Sequence, residues 1–402
     1  MALPLAGRAE NAIQATTLRL LRDEGTMSRV DLTHRLQVSR TTVAAEVNRL
    51  LELELAVDAG PAASRGGRRS TLVGLHPDLR FVGVDVRATA LDVAVTDGRL
   101  AVLARRSEAV DVRRGPEEVL ARALELTRDL LAEQRVRRPS GVGIGVPGPV
   151  DFHAGVPVAP PIMPGWDGYP VRDALARELG CPVALDNDVN LMALGEQQGG
   201  VARGARDFLF VKVGTGIGCG IVVDGRLYRG ADGCAGDIGH IRVRDDGGPA
   251  CACGGHGCLE AVFGGTALAR EAVATARSGR SPALAEVLAS TGALTAADVG
   301  RAAVHGDPAA VAMVKQGGHD LGVVLAHLVS FFNPRLLVIG GGVSQLGHAL
   351  LAEVRSVVYR RPPPLATGNL PVVLTELGDL AGLTGAVQLV SDQVFSPGHE
   401  AV

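Results

Sequence analysis

The chain has 402 residues, 47% of them hydrophobic, and a formal net charge of −3. Its length accommodates two or three domains, and its composition excludes a disordered chain. It has neither an apolar run of about 18 residues, the length that crosses a bilayer, nor a basic N-terminal segment followed by an apolar stretch. We therefore expect a cytoplasmic protein with no membrane partner. Residues 1–80 carry 11 arginines and 9 acidic residues and the remainder is net negative, so we predict two domains, over 1–80 and 81–402.

The N-terminal region has the pattern of three short helices. The first ends before Gly25. The second begins at Ser28, which forms with Asp31 a variant of the capping box, and Ser39 caps the third. A tight turn between the second and third helices is typical of a helix-turn-helix. The residues of the third helix predicted to contact DNA are Ser39, Arg40, Thr41, Thr42, Asn48 and Arg49.

Two strands, over 55–59 and 71–75, follow the helices. The glycine-rich segment between them carries arginines that are able to reach phosphates or a minor groove, namely Arg65, Arg68 and Arg69. This pattern predicts the wing of a winged helix. The alternative is a three-helix packing module whose arginines are only solvated.

From residue 81 onwards, glycine-punctuated strands alternate with helices, which indicates an α/β domain. The predicted strands cover 81–86, 90–95, 100–105, 141–146, 183–185, 208–213, 220–223 and 336–339. The predicted helices cover 116–134, 188–197, 309–331 and 380–390.

Two glycine-rich turns are candidates for phosphate or nucleotide binding. The first contains Gly214, Thr215, Gly216 and Gly218, where glycines free the backbone N–H groups to face an anion and the threonine adds a donor. The second contains Gly341 after a predicted strand. Both patterns are equally consistent with tight turns that bind nothing.

Asp188 lies where a strand over 183–185 changes into a helix. A carboxylate at such a junction is able to accept the proton of a substrate hydroxyl, as the base does in phosphoryl transfer to alcohols. The alternative is that Asp186 or Asp188 only caps the helix.

Three cysteines within eight residues follow a histidine: His240, Cys251, Cys253 and Cys258. A set of three thiolates and one imidazole closes a tetrahedral zinc site with no open position, so the metal would be structural, with one ion per chain. His256 competes with His240 as the fourth ligand, but it is squeezed between the cysteines. The alternative is three reduced thiols and an unrelated histidine.

In this order, and together with residues 142–151, these motifs resemble the ROK family of repressors and sugar kinases over nearly the whole chain. Segments 233–240 and 251–260 are similar to its sugar and zinc signatures. The resemblance implies an actin-like, ribonuclease-H-like fold with two lobes around a sugar cleft. It also implies a sugar site that contains Asn187, Asp188, Asp237, His240 and Glu260. In kinase members Asp188 would be the base, and His240 would contact both zinc and sugar.

The chain departs from the family kinases at two positions. Segment 85–89 lacks the two glycines that let ATP phosphates approach, and Asp237 replaces a glutamate. The first departure counts against ATP as a cofactor, although Asp188 and the hairpin at Gly214 are retained. Family kinases usually begin near Phe81, whereas family repressors begin with a winged helix.

The sequence therefore predicts a sugar-responsive regulator of transcription, a repressor of genes for carbohydrate uptake or metabolism. Its partners would be a double-stranded DNA operator, a sugar or sugar-phosphate effector, and further copies of itself in a dimer or tetramer. One alternative is an ATP-dependent sugar kinase with an accessory N-terminal domain. Another is a sensor whose zinc lobe binds a phosphotransferase component.

Overall fold

The protein was analysed as a computed structural model that describes residues 8–61, 71–245 and 247–397. The described chain divides into two compact units, with boundaries after Leu191 and after Gly382. The first unit contains the segments before Leu191 and after Gly382, and the second contains the segment between them. Among these residues, none of the helices has the length and apolar character needed to cross a membrane.

The first unit begins with three helices and a small antiparallel sheet. The helices are α1 (Ala12–Glu24), α2 (Arg29–Leu36) and α3 (Arg40–Glu52). The strands are β1 (Met27–Ser28), β2 (Ala56–Pro61) and β3 (Thr71–Leu75), in the order β1-β3-β2. Ser28 and Asp31 form the predicted capping box, and Ser39 caps α3 as predicted. The three helices therefore begin where side-chain oxygens satisfy their first backbone N–H groups.

A five-stranded sheet, in the order β10-β7-β4-β5-β6, forms the rest of the first unit's framework. Its strands are β4 (Arg80–Val86), β5 (Leu91–Asp97), β6 (Val102–Glu108), β7 (Gly141–Val146) and β10 (Val183–Asn187). A two-stranded ribbon is formed by β8 (Val150–Asp151) and β9 (Val156–Pro157). The accompanying helices are α4 (Pro116–Glu133) and α5 (Val171–Leu179), and α6 (Asp188–Gly199) begins in the first unit and continues in the second. β7 is parallel to β4 and β10, as expected for strands joined by helical crossovers.

The second unit is built on another five-stranded sheet, in the order β13-β12-β11-β14-β15. Its strands are β11 (Phe208–Val213), β12 (Ile217–Val223), β13 (Arg226–Leu227), β14 (Leu336–Gly340) and β15 (Val372–Leu374). Its helices are α7 (Leu259–Phe263), α8 (Gly265–Arg277), α9 (Pro282–Thr291), α10 (Ala296–Val304), α11 (Pro308–Phe332), α12 (Gly347–Val358) and α13 (Pro364–Thr367). A final helix, α14 (Ala381–Val394), begins in the second unit and continues in the first.

Most predicted strands begin within one residue of their predicted start, and two begin two or three residues away from it. The strand predicted over 100–105 is β6, which begins at Val102 because Leu100 adopts a left-handed backbone (φ 65°) in the preceding turn. The strand predicted over 220–223 is β12, which begins at Ile217 because that residue already pairs with Val213 of β11.

One face of β7 is made of glycine, which lets a helix lie directly on the strand. Gly143 is the tightest of these positions, because a β-carbon there would lie 1.8 Å from the carbonyl oxygen of Ala386 in α14. At Gly141 a β-carbon would lie 2.6 Å from the side chain of Val390, also in α14. The glycines therefore fix the distance between α14 and the sheet of the first unit.

Candidate metal centre, effector residues and DNA-facing helix

The four predicted metal ligands converge in the second unit. His240 ends a short 3-10 helix (Ile238–His240), Cys251 and Cys253 lie in the following loop, and Cys258 precedes α7. One donor atom of each residue lies within 4.8 Å of the others. His256 is outside this cluster, which agrees with the preference for His240.

The spacing of the donor atoms fits a tetrahedral zinc ion. Bonds of about 2.3 Å to sulfur and about 2.0 Å to nitrogen place two sulfurs about 3.8 Å apart, and a sulfur and a nitrogen about 3.5 Å apart. The structure has 3.8 Å between Sγ of Cys253 and Sγ of Cys258, and 3.4 Å between Sγ of Cys251 and Nδ1 of His240. The donor set and these two separations therefore fit a zinc ion with four protein ligands.

Glycines shape the loop that carries the thiols. Gly254 and Gly257 both have left-handed backbones, with φ of 87° and 71°. A β-carbon at Gly257 would lie 2.1 Å from the carbonyl oxygen of Arg244. The backbone N–H of Gly255 lowers the pKa of the Cys253 thiol, which favours the thiolate that a metal binds.

The cluster is adjacent to the effector residues that the family resemblance implies in this unit. Nε2 of His240 faces Asp237, with 3.9 Å to Oδ1 of that half-exposed carboxylate. Glu260 follows Cys258 by two residues, and its Oε2 accepts a hydrogen bond of 3.0 Å from the backbone N–H of Ile217. Asp237 and His240 lie at the two ends of the short 3-10 helix and Glu260 lies in α7. The loop that carries the cysteines connects these two helices.

Asn187 and Asp188 lie in the first unit, at the end of β10 and the start of α6. The Asn187 amide donates to the carbonyl oxygen of Gly148 at 2.8 Å, and its Oδ1 accepts from the backbone N–H groups of Val189 and Asn190 at 2.9 and 3.3 Å. Asn187 therefore caps α6 by accepting hydrogen bonds from backbone N–H groups of its first turn. The sequence suggested this capping role for Asp186 or Asp188. Asp188 itself is buried.

Asp85 and Asp188 are neighbours across Gly145. A β-carbon at Gly145 would lie 3.5 Å from Cα of Asp188 and 3.6 Å from Oδ1 of Asp85. The candidate base is therefore close to the first hairpin of the domain, where the family kinases receive ATP phosphates.

An arginine occupies that hairpin. Arg87 forms an ion pair with the fully buried Asp92, and its Nε lies 3.9 Å from Oδ2 of Asp85. Arg105 also donates to Asp92, at 2.7 Å. The missing glycines of this hairpin are visible in the sequence, but the ion pairs are not, because no local pattern links residue 87 to residues 92 and 105.

The glycine hairpin between β11 and β12 is tighter than predicted. The N–H of Gly214 donates to the carbonyl oxygen of Gly216 at 2.9 Å, and Thr215 is exposed between them. Gly218 lies within β12, where it pairs with Lys212. The turn itself is therefore formed by Gly214, Thr215 and Gly216.

Gly341 lies beside this hairpin because β14 is the parallel neighbour of β11. It has a left-handed backbone (φ 87°), and a β-carbon there would lie 2.6 Å from the carbonyl oxygen of Val213. A β-carbon at Gly214 would lie 3.9 Å from the backbone nitrogen of Gly342. The structure thus brings together the two glycine turns that the sequence singled out.

In the N-terminal region, the start of α3 presents polar side chains to solvent. Arg40 and Thr41 are exposed, and no side-chain partner of Arg40 is found within the described ranges. The Ser39 hydroxyl is engaged as the helix cap, since it accepts from the backbone N–H of Thr42 at 3.1 Å. The arginines predicted in the wing lie outside the described residues: Arg65, Arg68 and Arg69.

Farther along α3, two predicted DNA contacts are already bonded within the protein. Arg49 forms ion pairs with Glu10, at 2.6 Å, and with Glu52, at 3.0 Å. Asn48 accepts a hydrogen bond of 2.9 Å from Arg29 of α2. Nothing in the sequence indicated this role for Arg29, because its partner Asn48 is 19 residues away.

The two sheets and the cluster of His240 with three cysteines agree with a ROK domain, and the chain belongs to the ROK family. The family model matches residues 81–393. Both the predicted family membership and the predicted α/β fold of this region are confirmed.

The relatives include regulators and kinases. A xylose repressor of Caldicellulosiruptor bescii is 27% identical over 384 residues, which cover 94% of this chain and 95% of the repressor. A glucokinase of Halalkalibacterium halodurans is 34% identical over 326 residues, which cover 79% of this chain and 96% of the glucokinase. The crystal structure of a ROK family transcriptional regulator, a homologue of the E. coli MLC protein, superposes with a TM-score of 0.80 at 25% identity and covers 95% of this chain and 96% of its own.

Proposed function

We propose that this protein is a sugar-responsive, DNA-binding regulator of transcription, and specifically a repressor of carbohydrate genes. One observation carries the proposal: the ROK domain is preceded by three capped helices and a small sheet, and the third helix presents an exposed arginine, Arg40, at its start. The repressor and the ROK regulator both align over more than nine-tenths of this chain, whereas the glucokinase leaves about a fifth of it unmatched.

The N-terminal helices and sheet have the order of a winged helix-turn-helix, with α3 as the recognition helix. Arg40 and Thr41 lie on its first turn, which in this class of domain contacts base edges in the major groove. Asn48 and Arg49 are bonded to neighbouring side chains of the protein. Their proposed role is therefore to orient α3 on the DNA backbone and not to contact base edges. A dimer, or a tetramer built from dimers, would present two copies of α3 to successive major grooves of a palindromic operator.

The effector is proposed to be a sugar or sugar phosphate. The residues proposed to bind it are those that the family resemblance implies: Asn187, Asp188, Asp237, His240 and Glu260. Carboxylate and imidazole groups are suited to the hydroxyl groups of a sugar, because together they accept and donate hydrogen bonds. Sugars named by the relatives, xylose and glucose, are the first to test.

The thiol cluster is proposed to hold one structural zinc ion. Cys251, Cys253, Cys258 and Nδ1 of His240 would be its ligands, which leaves Nε2 of His240 directed toward Asp237. Zinc would supply rigidity and no chemistry, since four protein ligands leave no open position. The ion would thereby orient an effector residue.

An ATP-dependent sugar kinase is the second candidate, favoured by the retained Asp188 and by the glucokinase relatives. The first hairpin argues against it. Arg87 and Ala88 have β-carbons at positions where the backbone of a kinase must approach phosphates. The Arg87 guanidinium also forms an ion pair with Asp92. We expect no ATP-dependent phosphorylation of glucose or xylose in a coupled assay. Turnover that is abolished by Asp188→Asn would establish the kinase instead.

The proposal is tested by selecting duplexes from a random DNA library with the wild-type chain and measuring binding with D-glucose, D-xylose and their phosphates. We expect a palindromic duplex to be enriched and at least one sugar to change its affinity. If no duplex is enriched, the DNA-binding half is refuted. If binding is indifferent to every sugar, the sensor half is refuted.

Arg40→Ala should weaken binding to that duplex by about 5- to 150-fold, the range of about 1–3 kcal/mol that one base-reading arginine contributes. Arg114→Ala is the matched control, because Arg114 is an exposed arginine outside the N-terminal helices that pairs with Glu118. Fluorescence anisotropy with a labelled duplex measures both variants. Equal affinities for Arg40→Ala and Arg114→Ala would contradict the assignment of α3 as the recognition helix.

A further inference from the structure

A buried arginine connects the N-terminal helices to the last helix of the chain. The side chain of Arg22, on α1, is only 2% exposed. Its Nη1 donates to Oδ1 of Asp392 at 2.8 Å and to the hydroxyl of Ser391 at 2.9 Å, both on α14. Its Nε donates to Asp23 at 2.8 Å. A guanidinium at this depth is tolerated only because its donors are satisfied, so the pairing requires α1 and α14 to be docked together.

Other bonds converge on the same contact. Arg19 donates to the hydroxyl of Ser396 at 2.8 Å, one turn beyond Asp392. Gln388 donates to Oδ2 of Asp392 at 2.8 Å, which fixes that carboxylate from within α14. Arg99, in the turn after β5, donates to the backbone carbonyl oxygen of Arg22 at 3.4 Å. The contact is therefore a network centred on the Arg22–Asp392 pair.

The helix that receives Arg22 is continuous with the second unit. α14 begins at Ala381, before the boundary at Gly382, and runs to Val394 in the first unit. Its 14 residues form a rod of about 21 Å. If its first turn is displaced, we expect its last turn to move with it, because a regular helix of this length bends little.

We propose that the Arg22–Asp392 pair is the coupling element that transmits effector binding to the DNA-binding helices. The inference rests on the proposed function and adds its route: three of the proposed effector residues, Asp237, His240 and Glu260, lie in the second unit, α14 begins in that unit, and Arg22 attaches α1 to the far end of α14. Arg22 is a positioning residue, since it lies on neither α3 nor the effector elements. Its loss should uncouple the two activities without removing either.

Arg22→Met and Asp392→Asn test this proposal. Methionine fills a similar volume without charge, and asparagine keeps an acceptor but removes the ion pair. Arg35→Met is the matched control, because Arg35 lies on the same group of helices in an exposed pair with Glu24. The first readout needs neither DNA nor sugar: amide hydrogen exchange in α1 and in the last two turns of α14. The second is affinity for the duplex selected by the wild-type chain, with and without D-glucose and D-xylose.

For Arg22→Met, we expect exchange in α1 to be about tenfold faster, as for the loss of hydrogen bonds to a charged group. Sugar should change wild-type operator affinity by about 5- to 150-fold and the affinity of Arg22→Met by less than about twofold. Asp392→Asn should be intermediate, and Arg35→Met should match the wild type. A variant with loosened α1 and an undiminished sugar effect would overturn the coupling role, as would unchanged exchange. A wild-type chain that ignores sugar would refute the proposed function itself, whatever the exchange data show.

Discussion

Replacing Cys258 with serine is expected to release one zinc ion per chain and to destabilise the second unit. Cys258 is the buried member of the cluster and immediately precedes α7, which carries Glu260. A serine hydroxyl stays protonated where a thiolate would bind the metal, so three ligands would remain for an ion that requires four. The loss of a structural metal belongs to the mutations that cost about 4 kcal/mol or more, which lowers Tm by about 8–16 °C for a unit of this size.

Elemental analysis and thermal unfolding measure both effects. Cys234→Ser is the matched control, because Cys234 is an exposed cysteine outside the cluster. It should retain one zinc ion per chain and the wild-type Tm. A folded wild-type protein purified without chelators and free of metal would contradict the zinc assignment. A Cys258→Ser protein that keeps one zinc ion per chain would also contradict it.

Gly143→Ala is expected to have an effect of similar size on the first unit. The new β-carbon would lie 1.8 Å from the carbonyl oxygen of Ala386 and 2.5 Å from its carbonyl carbon. Both atoms belong to backbone, so the collision cannot be relieved by a rotamer change. α14 would have to move away from β7, which breaks the packing of a core that is as dense as an organic crystal. We expect a loss of about 4 kcal/mol or more, seen as a lowered Tm or as insoluble protein.

Gly342→Ala is the control for that substitution. No heavy atom lies within 4 Å of a β-carbon at Gly342, and its φ is outside the left-handed region. Its effect on the free energy of unfolding should be within about 0.5 kcal/mol. Equal stabilities of Gly143→Ala and Gly342→Ala would show that α14 does not rest on the glycine face of β7.

Local chemistry made parts of this structure predictable from the sequence. Ser28 and Ser39 cap helices because a short side chain with an oxygen acceptor satisfies the next N–H groups within its own turn. The cluster of His240 with Cys251, Cys253 and Cys258 was predicted for the same reason, because its members lie within 19 residues. Strands such as β7 and β11 were recognised by short apolar runs bounded by glycine.

Features that depend on long-range contacts were not predictable in this way. Arg22 and Asp392 are 370 positions apart, and each alone resembles an ordinary surface charge. The pairing of Arg49 with Glu10, 39 positions away, likewise has no local signature. The short, alanine-rich helices α9 and α10 were missed, although α10 begins with a capping box of Thr295 and Asp298. Helices of this length depend on tertiary packing more than on their own propensity.

The central claim is that the effector residues of the ROK domain regulate binding of DNA by the N-terminal helices. The most direct measurement is a titration of the selected, fluorescently labelled duplex with the full chain, repeated in the presence of saturating D-xylose or D-glucose. The account predicts that one of these sugars, or its phosphate, shifts the dissociation constant by about fivefold or more. Identical titration curves under every condition, accompanied by rapid ATP-dependent phosphorylation of either sugar, would contradict it.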